Sequence, residues 1–248
     1  MNQLVVNLGN TVADTLGVLA GAGNFNRWMF ERIEPFCGGE ILEAGSGIGN
    51  LSHFLIEAFD NVTLSDVDPA YCGLLERRFS SCPSFKGVCR MDLGASDIGA
   101  VAPELTGRFD TVIALNVVEH IADDQQAVRN CAALLRPGGR LVVLVPAYQG
   151  LYNELDRGLG HYRRYTSRRL AALMREQGLE VYRSDYFNAA GLLGWWFTGS
   201  VLKMKVMEPR FLSFYNRFVP VFRLLDRIIG RKAGLSVLAL ACKAQDLK

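Results

Sequence analysis

Ile41-Leu42-Glu43-Ala44-Gly45-Ser46-Gly47-Ile48-Gly49-Asn50 joins a short apolar run, a carboxylate and three glycines at alternate positions. Apolar residues followed at once by glycines predict a buried strand that turns sharply into a helix. Gly45, Gly47 and Gly49 lack Cβ atoms, so the backbone there can take positive φ and bring its amides against a bound molecule. Two kinds of ligand use such a loop. Dinucleotides use G-x-G-x-x-G, with a pyrophosphate at the helix N-terminus. Here the spacing is E-x-G-x-G-x-G: the third glycine comes one residue early, and Glu43 would repel a pyrophosphate. A carboxylate at that place suits a ligand with a cationic end.

S-adenosylmethionine (SAM), which carries an ammonium and a sulfonium, is such a ligand. The sequence beyond the loop fits it. A helical segment over Leu51–Phe59 leads to an apolar strand, Val62-Thr63-Leu64-Ser65, closed by Asp66-Val67-Asp68-Pro69. An acid about 20 residues beyond the glycines, at the end of the second strand, is placed to accept hydrogen bonds from a ribose diol. Asp66 directly ends the apolar run and takes that role; Asp68, just before a proline, caps the next helix. The alternative is that both aspartates only cap.

At these positions the chain resembles the class I SAM-dependent methyltransferases, including the ubiquinone-pathway O-methyltransferases. Glu43, Gly45, Gly47 and Gly49, with Ser46 among them, match the family's first motif. Asp66, with Val67 beside it, matches the ribose-binding acid. Arg90-Met91-Asp92-Leu93 matches the segment whose acid holds the adenine amino group, so the resemblance gives Asp92 and Leu93 that place. Phe109 to Ile121 matches the fourth strand and its loop, with Asn116 near the methionine part of SAM, and Leu135 to Leu141 matches the turn into the fifth strand. The match spans about residues 35 to 150. It implies a Rossmann-like α/β fold: a seven-stranded, mostly parallel sheet with helices on both faces and an antiparallel last strand between strands five and six.

Alternation of strands and helices from Ile41 to Val145 predicts the same parallel sheet independently. The strands are expected at Glu40–Glu43, Val62–Ser65, Lys86–Arg90, Phe109–Leu115 and Gly139–Val145, then Leu179–Phe187 and Gly234–Lys243. Helices are expected near Leu51–Phe59, Pro69–Ser80 and Asp123–Leu135, with another opening at Thr166-Ser167 and ending before Gly178. With 248 residues, half of them hydrophobic, the chain suffices for one domain. Its parts are an N-terminal helical cover (1–36), a core (37–187), a helical insertion (188–233) and a last strand with a tail (234–248). In the cover, Asn24 to Trp28 either closes over the SAM pocket or packs Phe25 and Trp28 on the sheet.

A net charge of +2 is too small to imply nucleic acid. Six cysteines without a C-x-x-C pair suit reduced thiols in a cytoplasmic protein. No basic stretch followed by a long apolar core opens the chain, so no signal peptide is expected. The weakly polar run Ala189–Leu202 is too short to cross a bilayer.

The insertion places Phe211, Phe214, Phe218, Phe222, Leu225 and Ile229 at helical spacing among arginines, with Pro220 expected to kink or divide the helix. Such a segment serves as a lid on the sheet, as a contact with a membrane surface or lipid-linked substrate, or as a dimer interface.

Of the three histidines, His53 falls in the first core helix and is structural. His120 follows the fourth strand, at the open carboxyl edge where ligands bind. His161 stands in Tyr152 to Tyr165, a loop after the fifth strand with acids and paired arginines, resembling a Gly-His-x-Arg-Arg-Tyr signature of bacterial methyltransferases of glycan, polyprenyl-lipid or secondary metabolism. An Asp–His pair there could accept a proton, so His161 and then His120 are the candidate catalytic residues. Arg163 and Arg164, with Tyr165 beside them, are candidates to hold a phosphate or carboxylate on the substrate. No zinc-spaced cluster and no H-E-x-x-H occurs, and Asp123-Asp124 suits a helix N-terminus, so no metal is expected. The expected function is methyl transfer from SAM to a small-molecule or lipid-linked acceptor, at oxygen. The alternatives are a SAM-binding partner protein without activity and an RNA or protein methyltransferase.

Overall fold

A computed structural model describes residues 17–206 and 208–245. The part of the N-terminal cover at 1–16 and the tail at 246–248 lie outside the described residues.

Seven strands form one sheet: β1 Ile41–Ala44, β2 Val62–Asp66, β3 Phe85–Arg90, β4 Phe109–Leu115, β5 Leu135–Pro146, β6 Leu179–Phe187 and β7 Ser236–Lys243. Their order is β3-β2-β1-β4-β5-β7-β6. The first five pair in parallel with one another, while β7 runs antiparallel between β5 and β6. The expected topology is therefore the observed one. The strand order reverses between β1 and β4, so their carboxyl ends open a crevice between two diverging loops.

Alternate residues of each central strand feed two cores. Leu141, Val143 and Val145 of β5 face one layer, and Val142 and Leu144 the other. Helices α1 (Gly23–Ile33), α2 (Ser52–Ala58) and α3 (Pro69–Phe79) cover one face. Helices α4 (Ile98–Val101), α5 (Asp124–Leu134) and, further along, α7 (Ser167–Glu176) cover the other. A short helix, α6 (Glu154–Leu159), precedes α7 at the sheet's carboxyl edge. Double coverage explains why the strands are apolar on both sides. Phe187 is fully buried, with Trp28 at 4.5 Å between ring centroids, so burial of this one ring contributes about 1.5–3 kcal/mol.

Strand and helix ends differ from the expected ones by one or two residues, except at β5. That strand starts at Leu135, directly after α5, because pairing with β4 resumes on both sides of a bulge. Phe109 pairs with Leu135 and Thr111 with Arg140, and Arg136 to Gly139 loop out between them. The Pro-Gly-Gly turn is thus an excursion inside a strand rather than its boundary.

The insertion comprises α8 (Ala189–Trp196), a π-helical turn at Phe197–Val201, and α9 (Pro209–Ile229). Of the two outcomes expected at Pro220, division does not occur: α9 is one helix throughout. Proline removes the N–H that would bond to the carbonyl four residues back. That carbonyl belongs to Asn216, and Asn24 Nδ2 donates to it at 3.1 Å, so α1 replaces the missing partner. Asn216 Oδ1 in turn accepts from the Phe25 amide at 3.0 Å.

Candidate active site

At the tip of β1, the Gly47 amide donates to Asp66 Oδ2 at 2.8 Å and the Ser46 amide to the Ser65 carbonyl at 2.8 Å. Asp66 Oδ1 accepts from the Asp68 amide at 2.9 Å, and the Asp66 carbonyl from the Met91 amide at 3.0 Å. One aspartate thus stitches together the ends of β1, β2 and β3. Gly45, Gly47 and Gly49 all have positive φ. At Gly45 (φ +73°) a Cβ would stand 2.4 Å from Val117 Cγ2, so glycine here admits the loop after β4 as well as any ligand. Asp68 caps α3, accepting from the Ala70 amide at 2.8 Å.

Glu43 lies below the loop, 5% exposed, and accepts from Ser52 Oγ. Burial pushes its pKa up to about 7, above the ordinary 4.5. A cavity of about 730 Å³ opens at the reversal point, and Glu43, Gly45, Ser46, Asn116, Glu119, His120, His161 and Arg164 are among its walls. Gly47, Gly49, Asp66, Val67, Asp92 and Leu93 do not line it; they follow the strand tips from β1 towards β3. Asp92 is exposed, and its Oδ1 accepts from the Gly94 amide at 2.7 Å. Asn116 holds the left-handed conformation (φ +55°), its amide tied to the Leu144 carbonyl at 2.7 Å.

This donor set fits SAM: a buried carboxylate for its cationic end, bare backbone beside it, and acids farther along the strand tips for its hydroxyl and amino groups. All of these are legible as motif residues; of the wall opposite them, His120, His161 and Arg164 are legible and the group that holds them is not.

That wall is built on Asp156, whose side chain is fully buried. Its Oδ1 accepts from His161 Nδ1 at 2.7 Å and from Arg164 Nε at 2.8 Å. Its Oδ2 accepts from the Asn153 amide at 3.0 Å and from Trp195 Nε1 at 3.3 Å. Burial alone would raise the Asp156 pKa; the His161 and Arg164 donors outweigh it and leave it below the usual carboxylate value. The arrangement starts as a helix-capping box, Asn153 with Asp156, at the start of α6. Gly160 then ends α6 in the left-handed conformation and turns the chain so that His161 meets the carboxylate. The Tyr162 amide donates to the Glu119 carbonyl at 2.8 Å, which brings this loop against the loop after β4.

His120 and His161 therefore meet, their ring centroids 4.7 Å apart. Burial, then His161, depresses the His120 pKa to about 3, so its imidazole is neutral. His53 lies elsewhere, against Phe54 in α2, as expected of a structural residue. Glu119 is fully buried and neither carboxylate oxygen has a hydrogen-bond partner; Arg164 Nη2 is likewise unpartnered. Burial raises the Glu119 pKa to about 8. Glu119, His120 and His161 offer ligand atoms within 4.8 Å of one another, close enough to share one divalent cation. Sequence spacing gave no sign of this group, because its members come from two loops.

Two expected substrate contacts are corrected. Arg163 turns away from the cavity to Asp124 Oδ2 at 2.9 Å and the Ala122 carbonyl at the start of α5. Tyr165 is fully buried and donates to the same Asp124 oxygen at 2.9 Å. Alternation along an extended segment sends its middle residue, Arg164, to the opposite side and into the cavity wall. In the cover, Phe25 and Trp28 both pack on Phe187, and Phe25 also lines the cavity.

A family model described as a methyltransferase domain matches residues 42–141, from β1 into β5. The ubiquinone biosynthesis O-methyltransferase of Xanthomonas axonopodis pv. citri is 28% identical over 167 residues, covering 62% of this chain and 67% of the relative. The enzyme of the same name from Thiobacillus denitrificans is 29% identical over 168 residues, covering 62% and 70%. Among solved structures, the [4+2]-cyclase SpnF superposes with a TM-score of 0.57 at 16% identity, covering 90% of this chain and 81% of SpnF. Phosphoethanolamine N-methyltransferase 2 of Haemonchus contortus, solved with SAM, gives 0.57 at 15% identity, covering 90% and 53%. The structural likenesses show the fold; the sequence likenesses carry the chemistry and support a SAM-dependent methyltransferase, with SAM as its methyl donor.

Proposed function

We propose that this enzyme methylates a hydroxyl oxygen of a small molecule that carries an apolar tail. The observation behind this reading is the two-ended cavity. Glu119, His120, His161 and Arg164 gather at one wall, and Leu193, Phe197, Phe211, Phe214, Phe222 and Leu225 of the insertion form an apolar one. SAM, when bound, supplies an electrophilic methyl group on a sulfonium leaving group. The protein's part is to hold the acceptor in line and to take its proton. Glu43 holds the cationic end of the donor. The Nδ1–H of His161 donates to Asp156, which leaves Nε2 with the lone pair to accept the hydroxyl proton. Apolar walls exclude water from the reacting atoms.

A second reading of the same wall rests on the unpartnered oxygens of Glu119. Held by Glu119, His120 and His161, a divalent cation would acidify the hydroxyl in place of the imidazole. Metal content of the purified protein, before and after a chelator, separates the two readings.

Contact with a membrane surface belongs to this proposal. Leu193, Phe197, Phe211, Phe214 and Leu225 line the cavity and are also exposed, so its apolar end opens onto an apolar patch. Among the described residues no helix is long and apolar enough to cross a membrane. An acceptor with a hydrocarbon tail could pass from a lipid surface through this opening.

Labelled SAM and fractionated extracts of the native host test the assignment. A labelled product in the organic phase with its methyl on oxygen is expected, and its formation should fall at least a hundredfold in His161→Ala, the low end for lost general-base catalysis. Label confined to RNA, protein or a nitrogen-methylated product would overturn it.

A further inference from the structure

The insertion reaches past the cavity wall to the carboxylate that holds His161. Trp195, the seventh residue of α8, touches two members of that group at once. Its Nε1–H donates to Asp156 Oδ2 at 3.3 Å, and its ring lies 4.6 Å from the Arg164 guanidinium carbon. Arg164 is itself a donor to Asp156 Oδ1. An ionised carboxylate has about four acceptor directions. Those of Asp156 meet four donors: His161, Arg164, the Asn153 amide and Trp195. Three of the four come from the loop after β5 and its short helix; Trp195 alone comes from the insertion.

The docking of the insertion on this loop is specific. Asn153 Nδ2 donates to the Trp195 carbonyl and to Ser200 Oγ, each at 3.3 Å. A Cβ on Gly199 would lie 2.2 Å from Asn153 Oδ1, and one on Gly158 would lie 2.1 Å from the Lys205 carbonyl oxygen. Both contacts require glycine, one on each partner. The same segment carries Phe197, Thr198 and Met204 into the cavity wall.

We propose that Trp195 is a positioning residue for His161, through which the docked insertion fixes the imidazole in its productive orientation. The inference rests on the reading of His161 as the proton acceptor. Its consequence for specificity is direct. An acceptor tail lying along Leu193, Phe197 and Met204 bears on the segment that holds Trp195. Binding of the tail therefore acts on the proton-accepting geometry, and a shortened tail costs kcat as well as KM.

The test uses the full chain with its histidines labelled with nitrogen-15 and follows solvent exchange of the His161 Nδ1 proton, assigned by its loss in His161→Ala. Trp195→Phe keeps a ring over Arg164 and removes the donor; Trp195→Leu removes both; Trp196→Phe, at a half-exposed neighbour, is the control. Exchange should quicken by roughly tenfold or more in Trp195→Leu, the size expected for losing a hydrogen bond to a carboxylate. It should quicken less in Trp195→Phe and stay unchanged in the control. Exchange within twofold of wild type in a folded Trp195→Phe and in Trp195→Leu would overturn the proposal. Should Trp195→Leu not fold, Trp195→Phe alone decides, since a ring without the N–H that leaves exchange unchanged removes the donor from the argument. Turnover retained by His161→Ala would instead remove the proton-acceptor reading, whatever the exchange rates show.

Discussion

The Gly47 amide and the Asp66 carboxylate are joined at 2.8 Å, so the acid assigned to the donor's ribose also fixes the loop beside it. Asp66 has a structural part, and the proposed binding part is read separately from it by measuring stability and affinity. Asp66→Ala removes the acceptor for two amides, Gly47 and Asp68, and should destabilise the free protein by about 1.5–3 kcal/mol. Affinity for SAM should fall at least tenfold. Asp66→Asn, which keeps an acceptor for one of these amides and turns an NH2 against the other, should lose part of the stability as well as affinity. Denaturant titration and calorimetry read the two effects, and unchanged affinity in Asp66→Ala would remove Asp66 from the binding site.

Glu43 makes stability depend on pH and, as the proposed holder of the donor's cationic end, should make SAM binding depend on it too. Its folded pKa, about 7, lies above the ordinary 4.5 because it is buried. Folding therefore favours the protonated form. The stability from this preference is complete below about pH 4.5 and is lost as pH rises through 7. Glu43→Gln, neutral at every pH, should gain on wild type between pH 5 and 8 by on the order of 3 kcal/mol. Binding of a cationic ligand reverses the preference and expels the proton. Below pH 7 the calorimetric heat of SAM binding should therefore change with the ionisation enthalpy of the buffer. A heat independent of buffer at pH 6 would show that Glu43 does not change charge on binding.

The strand-tip half of the candidate site is legible because its residues are local. Glycines at alternate positions, an acid ending β2 and another after β3 each sit in a short motif whose meaning depends on immediate neighbours. The acceptor half was only partly legible. His161 and His120 stood out as histidines at the open edge, but Asp156 and Trp195 are united only by the fold. The Asp–His pair expected in that loop is Asp156 with His161, whereas the Asn153–Asp156 capping box and the helix it starts emerge only in the fold. Arg163 and Tyr165 lie off the cavity although they flank Arg164, because an extended segment presents neighbours to opposite sides. In α9 the helix continues through Pro220 for a tertiary reason, since Asn24 of another helix satisfies the freed carbonyl.

Asp226 ties the insertion to the sheet. It is buried, and its two oxygens accept from the Asn188 and Ala189 amides, both at 2.7 Å. These amides lie where β6 passes into α8, with Asn188 in the left-handed conformation. Asp226→Ala leaves both buried donors unpaired, at a cost of about 1–3 kcal/mol for each. The loss should be local. Hydrogen exchange should rise across α8 and α9 while β1, β4 and β5 keep their protection. A uniform rise across the sheet would show instead that the insertion unfolds only with the core.

The membrane proposal turns on the outer face of α9. Phe214 is 65% exposed and Ile228 74%, and Val221 and Leu224 stand out between them at spacings of seven, three and four residues along one side. Arg210, Arg217 and Arg227 belong to the same helix. An apolar stripe beside guanidinium groups suits a surface with hydrocarbon below and negative charge above. The protein should sediment with vesicles containing acidic phospholipid, less with neutral ones, and less again as salt rises. Val221→Glu with Ile228→Glu, two residues outside the cavity wall, should reduce sedimentation at least tenfold and leave SAM affinity unchanged. If the protein pellets with neither kind of vesicle, the exposed stripe serves another purpose and acceptors must reach the cavity from solution.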